Sequence, residues 1–159
     1  MPQQRQVIDY ALARRALLVQ LSRGQLRPAD VCDAHPDLQR AARYHGETTD
    51  VGCPICRSTR LTRVTYAYGD ELQQASGRAR SSRTLDALSQ RYSTIRVYVV
   101  EVCRSCCWNH LIVSYLTGTA VSDNATAGSA SSEPAVPSVP ESIPVSRRLA
   151  RGERRTARR

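Results

Sequence analysis

The sequence contains no phenylalanine, no lysine and a single tryptophan among its 159 residues. Hydrophobic residues make up 41% of the chain, which is a thin supply for a packed core when phenylalanine is missing. Small scaffolds with little core gain much of their stability from disulfides or bound metal ions. The composition therefore directs attention to the six cysteines.

Long apolar segments are also missing. The N-terminal segment carries charges at Asp9, Arg14 and Arg15, so it contains neither a membrane span nor the apolar region of a secretory signal. We therefore expect a cytoplasmic protein that does not enter a membrane. In that compartment the cysteines stay reduced and do not form a disulfide framework.

The motifs of common catalytic sites are absent from the sequence. It has no Ser-His-Asp set, phosphate-binding loop or pair of carboxylates at motif spacing. We therefore expect no enzymatic activity. A thiol redox switch that uses Cys32, Cys107 or His110 is a less favoured alternative, because it requires a free thiol of low pKa or an open metal position.

Four cysteines form two matched pairs, Cys53-Pro54-Ile55-Cys56 and Cys103-Arg104-Ser105-Cys106. In each pair two residues separate the cysteines, so that a tight turn can direct both sulfurs at one ion. Together the pairs supply the four thiolates of a closed tetrahedral site. We predict one structural Zn²⁺ per chain, bound by Cys53, Cys56, Cys103 and Cys106.

Other cysteines and histidines lie near these pairs. Using Cys107 would widen the second turn by one residue, so Cys106 is the better fourth ligand. We interpret Cys32 as a small buried hydrophobic residue. His45 and His110 are not expected to bind the metal directly, because four thiolates already close a structural site.

Periodicity predicts an α+β fold. Residues 6–22, 27–32 and 36–46 are predicted helices, an arrangement that a DNA-binding helix-turn-helix would also show. Arg14 lies in the apolar sector of the first helix and is expected to hold a carboxylate. Residues 61–68, 93–102 and 108–116 are predicted strands, which we expect to form the three-stranded antiparallel sheet of a zinc ribbon.

The region between the first two predicted strands is an insertion rich in arginine. We predict a loop or broken helix over residues 71–83 and a short helix over residues 84–92. The chain then divides into four regions: a helical module (1–47), a zinc-ribbon-like domain (48–118), a disordered linker (119–146) and an Arg-rich basic tail (147–159). The linker assignment rests on its Ala, Ser and Pro content and its lack of periodicity.

All 23 basic residues are arginine, and the net charge is +9. Arginine is suited to bidentate pairing with phosphates and carboxylates. We therefore predict nucleic acid, or an acidic surface of the transcription or translation machinery, as the partner; a zinc-stabilised structural adaptor between proteins is the alternative. The sequence does not indicate an oligomeric state. The candidate nucleic-acid-binding residues lie around the cysteine pairs, in the insertion and in the tail: Arg57, Arg60, Arg63, Arg104, Arg78, Arg80, Arg83, Arg147, Arg148, Arg151, Arg154, Arg155, Arg158 and Arg159.

Several motifs together resemble a family of small uncharacterised actinobacterial proteins, a domain of unknown function. The resemblance covers about residues 5–118 and implies a cytoplasmic zinc-ribbon domain without naming an activity. The residues that carry it are VCDAHP at 31–36, CPIC at 53–56, YGDEL at 68–72, SGR at 76–78, VVEVC at 99–103 and WNHL at 108–111.

Overall fold

A six-stranded antiparallel sheet lies at the centre of the computed structural model, which describes residues 3–120. Two short 3-10 helices, at Pro28–Asp30 and Asp70–Ala75, lie between the longer elements. The predicted α+β class is confirmed. In chain order the elements are β1 (Arg5–Asp9), α1 (Ala11–Ser22), α2 (Pro36–His45), β2 (Glu47–Gly52), β3 (Arg60–Tyr68), β4 (Arg78–Arg80), α3 (Ser82–Arg91), β5 (Ile95–Val102) and β6 (Asn109–Thr117).

The strands follow the order β1-β6-β5-β3-β2, and β4 also pairs with β3. The three predicted strands correspond to β3, β5 and β6, which are neighbours in the middle of this sheet. The prediction of a three-stranded sheet was wrong, because β1, β2 and β4 add pairs at both sides of these strands. The assignment of the fold as a zinc ribbon stays a prediction.

Residues 5–9 form β1, although the sequence analysis predicted a helix that begins at residue 6. β1 pairs with β6, with Arg5 opposite Leu116 and Asp9 opposite Val113. The N–H of Tyr10 then donates to the carbonyl of Ile112 at 3.0 Å, and α1 begins at the next residue. An unpaired strand edge offers backbone groups that need partners, and this pairing outweighs the local helix propensity.

The insertion also contains a strand that the sequence analysis did not predict. Arg78–Arg80 forms β4, which places Arg80 opposite Thr65 and Arg78 opposite Ala67 of β3. β2 pairs with the earlier part of β3, where Glu47 lies opposite Arg63. A three-residue strand is too short to give a period in sequence, so its pairing depends on the completed sheet.

Helix α2 covers one face of the sheet. Its buried residues Leu38 and Ala42 share a core cluster with Val64, Val100 and Leu111. These sheet residues come from three adjacent strands, so α2 lies across the middle of the sheet. The spacing of Leu38 and Ala42, four residues apart, places both on one side of the helix and accounts for this packing.

Helices α1 and α3 pack on residues that point to the opposite face. Successive side chains of a strand point to opposite faces of the sheet, and on β3 those of Leu61 and Ala67 point away from the face that α2 covers. Leu85 of α3 shares a cluster with Ala67, while leucines of α1 pack against a cluster that contains Leu61 and Trp108. Trp108 is fully buried, so it compensates in part for the missing phenylalanines.

The predicted division of the chain at residue 47 stays a prediction, although the pairing of β1 with β6 links the N-terminal region to the later strands. Except for residues 119 and 120, the predicted linker and the predicted tail lie outside the described residues. Within the described part of the chain, no helix combines the length and the apolar character needed to cross a membrane.

Candidate functional site

The two cysteine pairs lie in turns at the same end of the sheet. The first hook (residues 53–57) precedes β3, and the second hook (residues 103–107) follows β5. Because β3 and β5 are antiparallel neighbours, with Thr62 opposite Val102, the start of one strand lies beside the end of the other. The sheet therefore brings together cysteines that are 47 to 53 residues apart in sequence.

Both hooks close with the same backbone geometry. The N–H of Arg57 donates to the carbonyl of Cys53 at 3.2 Å, and the N–H of Cys107 donates to that of Cys103 at 3.1 Å. Arg57 and Cys107 both have positive φ angles, 57° and 65°. Cys107 is thus the counterpart of Arg57 in the turn, one position after the cysteine pair.

The four sulfurs form a compact cluster. The Sγ atoms of Cys53 and Cys106 are 3.5 Å apart, and those of Cys56 and Cys103 are 3.6 Å apart. All four Sγ atoms lie within 4.8 Å of one another. A tetrahedral site with metal–sulfur bonds of about 2.3 Å requires sulfur–sulfur distances of about 3.8 Å. These four cysteines lie close enough together to bind a metal ion.

Hydroxyl and backbone donors surround the sulfurs. Ser58 Oγ donates to Cys56 Sγ at 3.1 Å, and Thr59 Oγ1 lies 3.1 Å from Cys103 Sγ. The N–H of Cys106 donates to Cys103 Sγ at 3.4 Å. Such donors stabilise negative charge on a metal-bound thiolate. The sequence analysis did not single out Ser58 and Thr59, although two hydroxyl residues directly after a hook are a visible signal.

Hydrogen bonding and burial give the four thiols different pKa values. Hydrogen bonds from the side chain and backbone of Ser58 lower the pKa of Cys56 to about 5. Burial raises the pKa of Cys53 and that of Cys106, each to about 12. At Cys103 burial is outweighed by the N–H of Cys106 and the hydroxyl of Thr59, and the pKa is lowered. A divalent cation would stabilise all four thiolates and displace the remaining protons.

Cys32 lies next to this cluster. Its Sγ is 3.7 Å from that of Cys106, and the residue is half-buried among the side chains of the Trp108 cluster. Burial raises the pKa of Cys32. The sequence analysis described it only as a small hydrophobic residue, and its contact with a residue 74 positions away could not be read from local pattern.

His110 is buried beside Trp108. Its ring stacks on the indole with a centroid distance of 6.0 Å, and Nδ1 donates to the carbonyl of Leu111 at 2.6 Å. A carbonyl oxygen only accepts, so Nδ1 carries the hydrogen of the neutral ring. In the described residues Nε2 has no hydrogen-bond partner.

Within the described residues, the predicted arginines form two sets: a first set that lines clefts beside α2 and a second set that lies outside these clefts. Arg78 and Arg80 on β4 and Arg104 in the second hook line clefts beside α2. Arg60 instead pairs with Asp50 at 3.0 Å. Three further predicted arginines are exposed outside these clefts: Arg57, Arg63 and Arg83. The tail arginines, from Arg147 to Arg159, lie outside the described residues.

Helix α2 adds residues that the sequence analysis missed. Arg40, Arg43 and Tyr44 are exposed and line the same clefts as the first set of arginines. Their spacing of three and four residues places them on one side of the helix. That spacing was visible in the sequence, but the convergence with β4 and the second hook depends on the sheet.

Most of the chain, including both hooks and the six strands of the described residues, matches a single protein family. The model described as "Family of unknown function (DUF5318)" matches residues 1–131. The chain belongs to this family. The expected resemblance to an actinobacterial family is confirmed by mycobacterial relatives, among them "Uncharacterized protein Rv0049" of Mycobacterium tuberculosis and "Uncharacterized protein Mb0050" of Mycobacterium bovis. Each is 48% identical over 113 residues, which is 71% of this chain and 82% of the relative. No solved structure matches the chain.

Proposed function

We propose that this family member is a non-catalytic, cytoplasmic protein that is stabilised by one zinc ion and binds nucleic acid. Two features support the proposal: the sulfur cluster between the hooks and the arginines beside α2. The first concerns how the fold is held together, and the second concerns what it binds. They can be tested separately.

Zinc is the metal that best suits the four cysteines. Thiolate ligands select soft and borderline cations, and an all-cysteine set of two matched turns is typical of structural Zn²⁺. Four protein ligands leave no open position for a substrate. Zinc would supply four thiolate bonds at the point where β3 and β5 meet, and its binding energy would count as folding energy.

Convergence of arginines is the observation that carries nucleic-acid binding. Five arginines from three separate segments of the chain line the adjoining clefts around α2, whereas the lining includes one carboxylate, that of Asp37. A concentration of guanidinium groups attracts polyanions and pairs with phosphate. The five are Arg40, Arg43, Arg78, Arg80 and Arg104.

The test uses the full chain purified without chelators. Elemental analysis should find one zinc per chain. Binding to labelled duplex DNA and to single-stranded DNA and RNA should be measurable at low ionic strength and weaken with salt, by roughly 0.9 log unit per log unit of salt for each duplex phosphate contact. A protein without zinc contradicts the metal assignment. A protein that binds none of these nucleic acids contradicts the second part, and the protein adaptor becomes the better hypothesis, with the arginines facing carboxylates of a partner.

A further inference from the structure

Two depressions meet on the outer side of α2. The larger, of about 790 Å³, lies between α2 and strands β3 and β4. The smaller, of about 390 Å³, lies between α2 and the second hook. Arg40 and Tyr44 line both. The two depressions therefore form one track, called here the α2 track, with Tyr44 at its middle.

The α2 track is positively charged along its length. Arg78 and Arg80 lie at one side of Tyr44, and Arg43 and Arg104 line the other depression. The lining carboxylate, that of Asp37, pairs with Arg40 at 3.0 Å, so it offsets Arg40 and leaves the other four arginines without an acidic partner in the lining. A chain of phosphates would meet arginines on both sides of one aromatic ring.

Tyr44 has the exposure that a stacking platform requires. Its side chain is 69% exposed, whereas Tyr66 in the floor of the larger depression is 4% exposed. Tyr66 belongs to the core cluster under α2, whereas the exposed ring of Tyr44 lines the same depression as Arg78 and Arg80. The guanidinium of Arg43 lies 6.0 Å from the ring centre of Tyr44, so cationic and aromatic groups are adjacent.

We propose that the α2 track binds a single-stranded segment of nucleic acid, with a base stacked on Tyr44 and phosphates held by the arginines on both sides. This inference rests on the proposed function and specifies its ligand. Aromatic platforms in arginine-rich grooves suit single strands, because the bases of a duplex are already stacked on each other. The Arg-rich tail has the same sign of charge as the α2 track, so it is not the occupant and instead adds attraction for the same polyanion.

The experiment measures fluorescence anisotropy of labelled oligo-dT, oligo-U and a DNA hairpin of equal phosphate number, each about ten nucleotides in its binding segment. The full chain is compared with Tyr44→Ala and Tyr44→Phe. Tyr44→Ala should weaken binding of the single strands roughly tenfold, since stacking on one ring contributes about 1–3 kcal/mol per base. Tyr44→Phe should keep most of the affinity. Binding of the hairpin should change little in either variant.

A pair of double variants tests the position of the phosphates. Arg78→Gln with Arg104→Gln removes two charges from the α2 track, and Arg15→Gln with Arg23→Gln removes two exposed charges on and directly after α1, outside the track. The first variant should lower the salt slope for single strands by about 0.7 for each phosphate that no longer pairs with an arginine, and the second should leave the slope nearly unchanged. The oligo-dT and oligo-U arms distinguish DNA from RNA as the source of the strand.

Each outcome has one interpretation. Single-strand binding that is equal in the full chain and all variants overturns the α2 track and leaves the proposed function standing on another surface. Preference of the full chain for the hairpin overturns the choice of a single strand. Absence of binding to every probe overturns the proposed function as well. Circular dichroism of Tyr44→Ala should match that of the full chain, because the side chain is exposed.

Discussion

Arg14 and Glu101 join α1 to the sheet through a short charged hydrogen bond. Arg14 Nε donates to Glu101 Oε1 at 2.6 Å, and the same oxygen accepts from Trp108 Nε1 at 3.0 Å. The expectation that Arg14 holds a carboxylate is confirmed. Trp108 follows the second hook directly, so this carboxylate connects α1 to the end of the sheet where the cysteines lie.

Replacing Arg14 with leucine should destabilise the protein by about 1–3 kcal/mol, because the carboxyl group of Glu101, which is 7% exposed, would lose its charged hydrogen-bond partner. Urea unfolding followed by the fluorescence of the single tryptophan measures this change. The double change Arg14→Leu with Glu101→Gln should recover part of the loss, since glutamine carries no charge. An unchanged urea midpoint in Arg14→Leu would show that the pair contributes nothing.

The features that the sequence revealed are those with a local signature. The hooks have fixed spacing, and β5 is a run of β-branched residues that no other element within residues 3–120 matches. β1 and β4 were missed because each is an edge pairing of a few residues, decided by which strand offers unpaired backbone groups. The proximity of Cys32 to Cys106 was missed for a related reason, since only the folded sheet brings them together.

The position of the α2 track could not be predicted from the sequence either. Arginines were expected to act around the hooks, and of these Arg104 lies in the track while Arg60 is paired with Asp50. Both residues carry the same charge, so the sequence could not show which of them lies in the track. Tyr44 has no signal of its own in sequence, because an aromatic residue on an amphipathic helix is usually assigned to the core.

Cys103 and Cys107 form a matched pair of variants for the metal site. Cys103→Ser removes one of the four clustered sulfurs and should release zinc and unfold the sheet, whereas Cys107→Ser should keep one zinc per chain. Elemental analysis and circular dichroism measure both effects. Cys107→Gly should also keep the metal, and because the residue has φ 65° the glycine should cost no stability. Loss of zinc from either Cys107 variant would place that thiol among the ligands.

Truncation tests the contribution of the last two described residues, Thr119 and Ala120, to stability. The N–H of Thr119 donates to the carbonyl of Tyr92, and that of Ala120 to the carbonyl of Ser93, each at 2.9 Å. A chain that ends at Ala120 should keep the melting temperature of the full chain. A chain that ends at Gly118 loses both bonds, each contributing about 0.5–1.5 kcal/mol, and should melt roughly 5 °C lower or more. Scanning calorimetry measures the melting temperatures of the full chain and the two truncated chains. A large decrease for the chain that ends at Ala120 would mean that residues 121–159 stabilise the fold.

His110 should make the stability of the protein depend on pH. The residue is 1% exposed, and burial lowers its pKa, with the charge of Arg14 acting in the same direction and the Leu111 carbonyl and Glu101 opposing it. The unfolded chain takes up a proton near pH 6.5, whereas the folded chain keeps the ring neutral to lower pH. The stability associated with neutral His110 is therefore present above about pH 6.5 and is lost as the pH falls below that value.

The measurement is the free energy of unfolding of the wild type and of His110→Leu between about pH 8 and pH 5, the range in which histidine titrates. Subtracting one from the other cancels the contributions of carboxylates and thiols that both proteins share. The difference should move in favour of the leucine variant as the pH falls, because leucine leaves no buried nitrogen to protonate. A flat difference for His110→Leu would mean that the buried ring is protonated equally in the folded and unfolded chains, contrary to what its burial predicts.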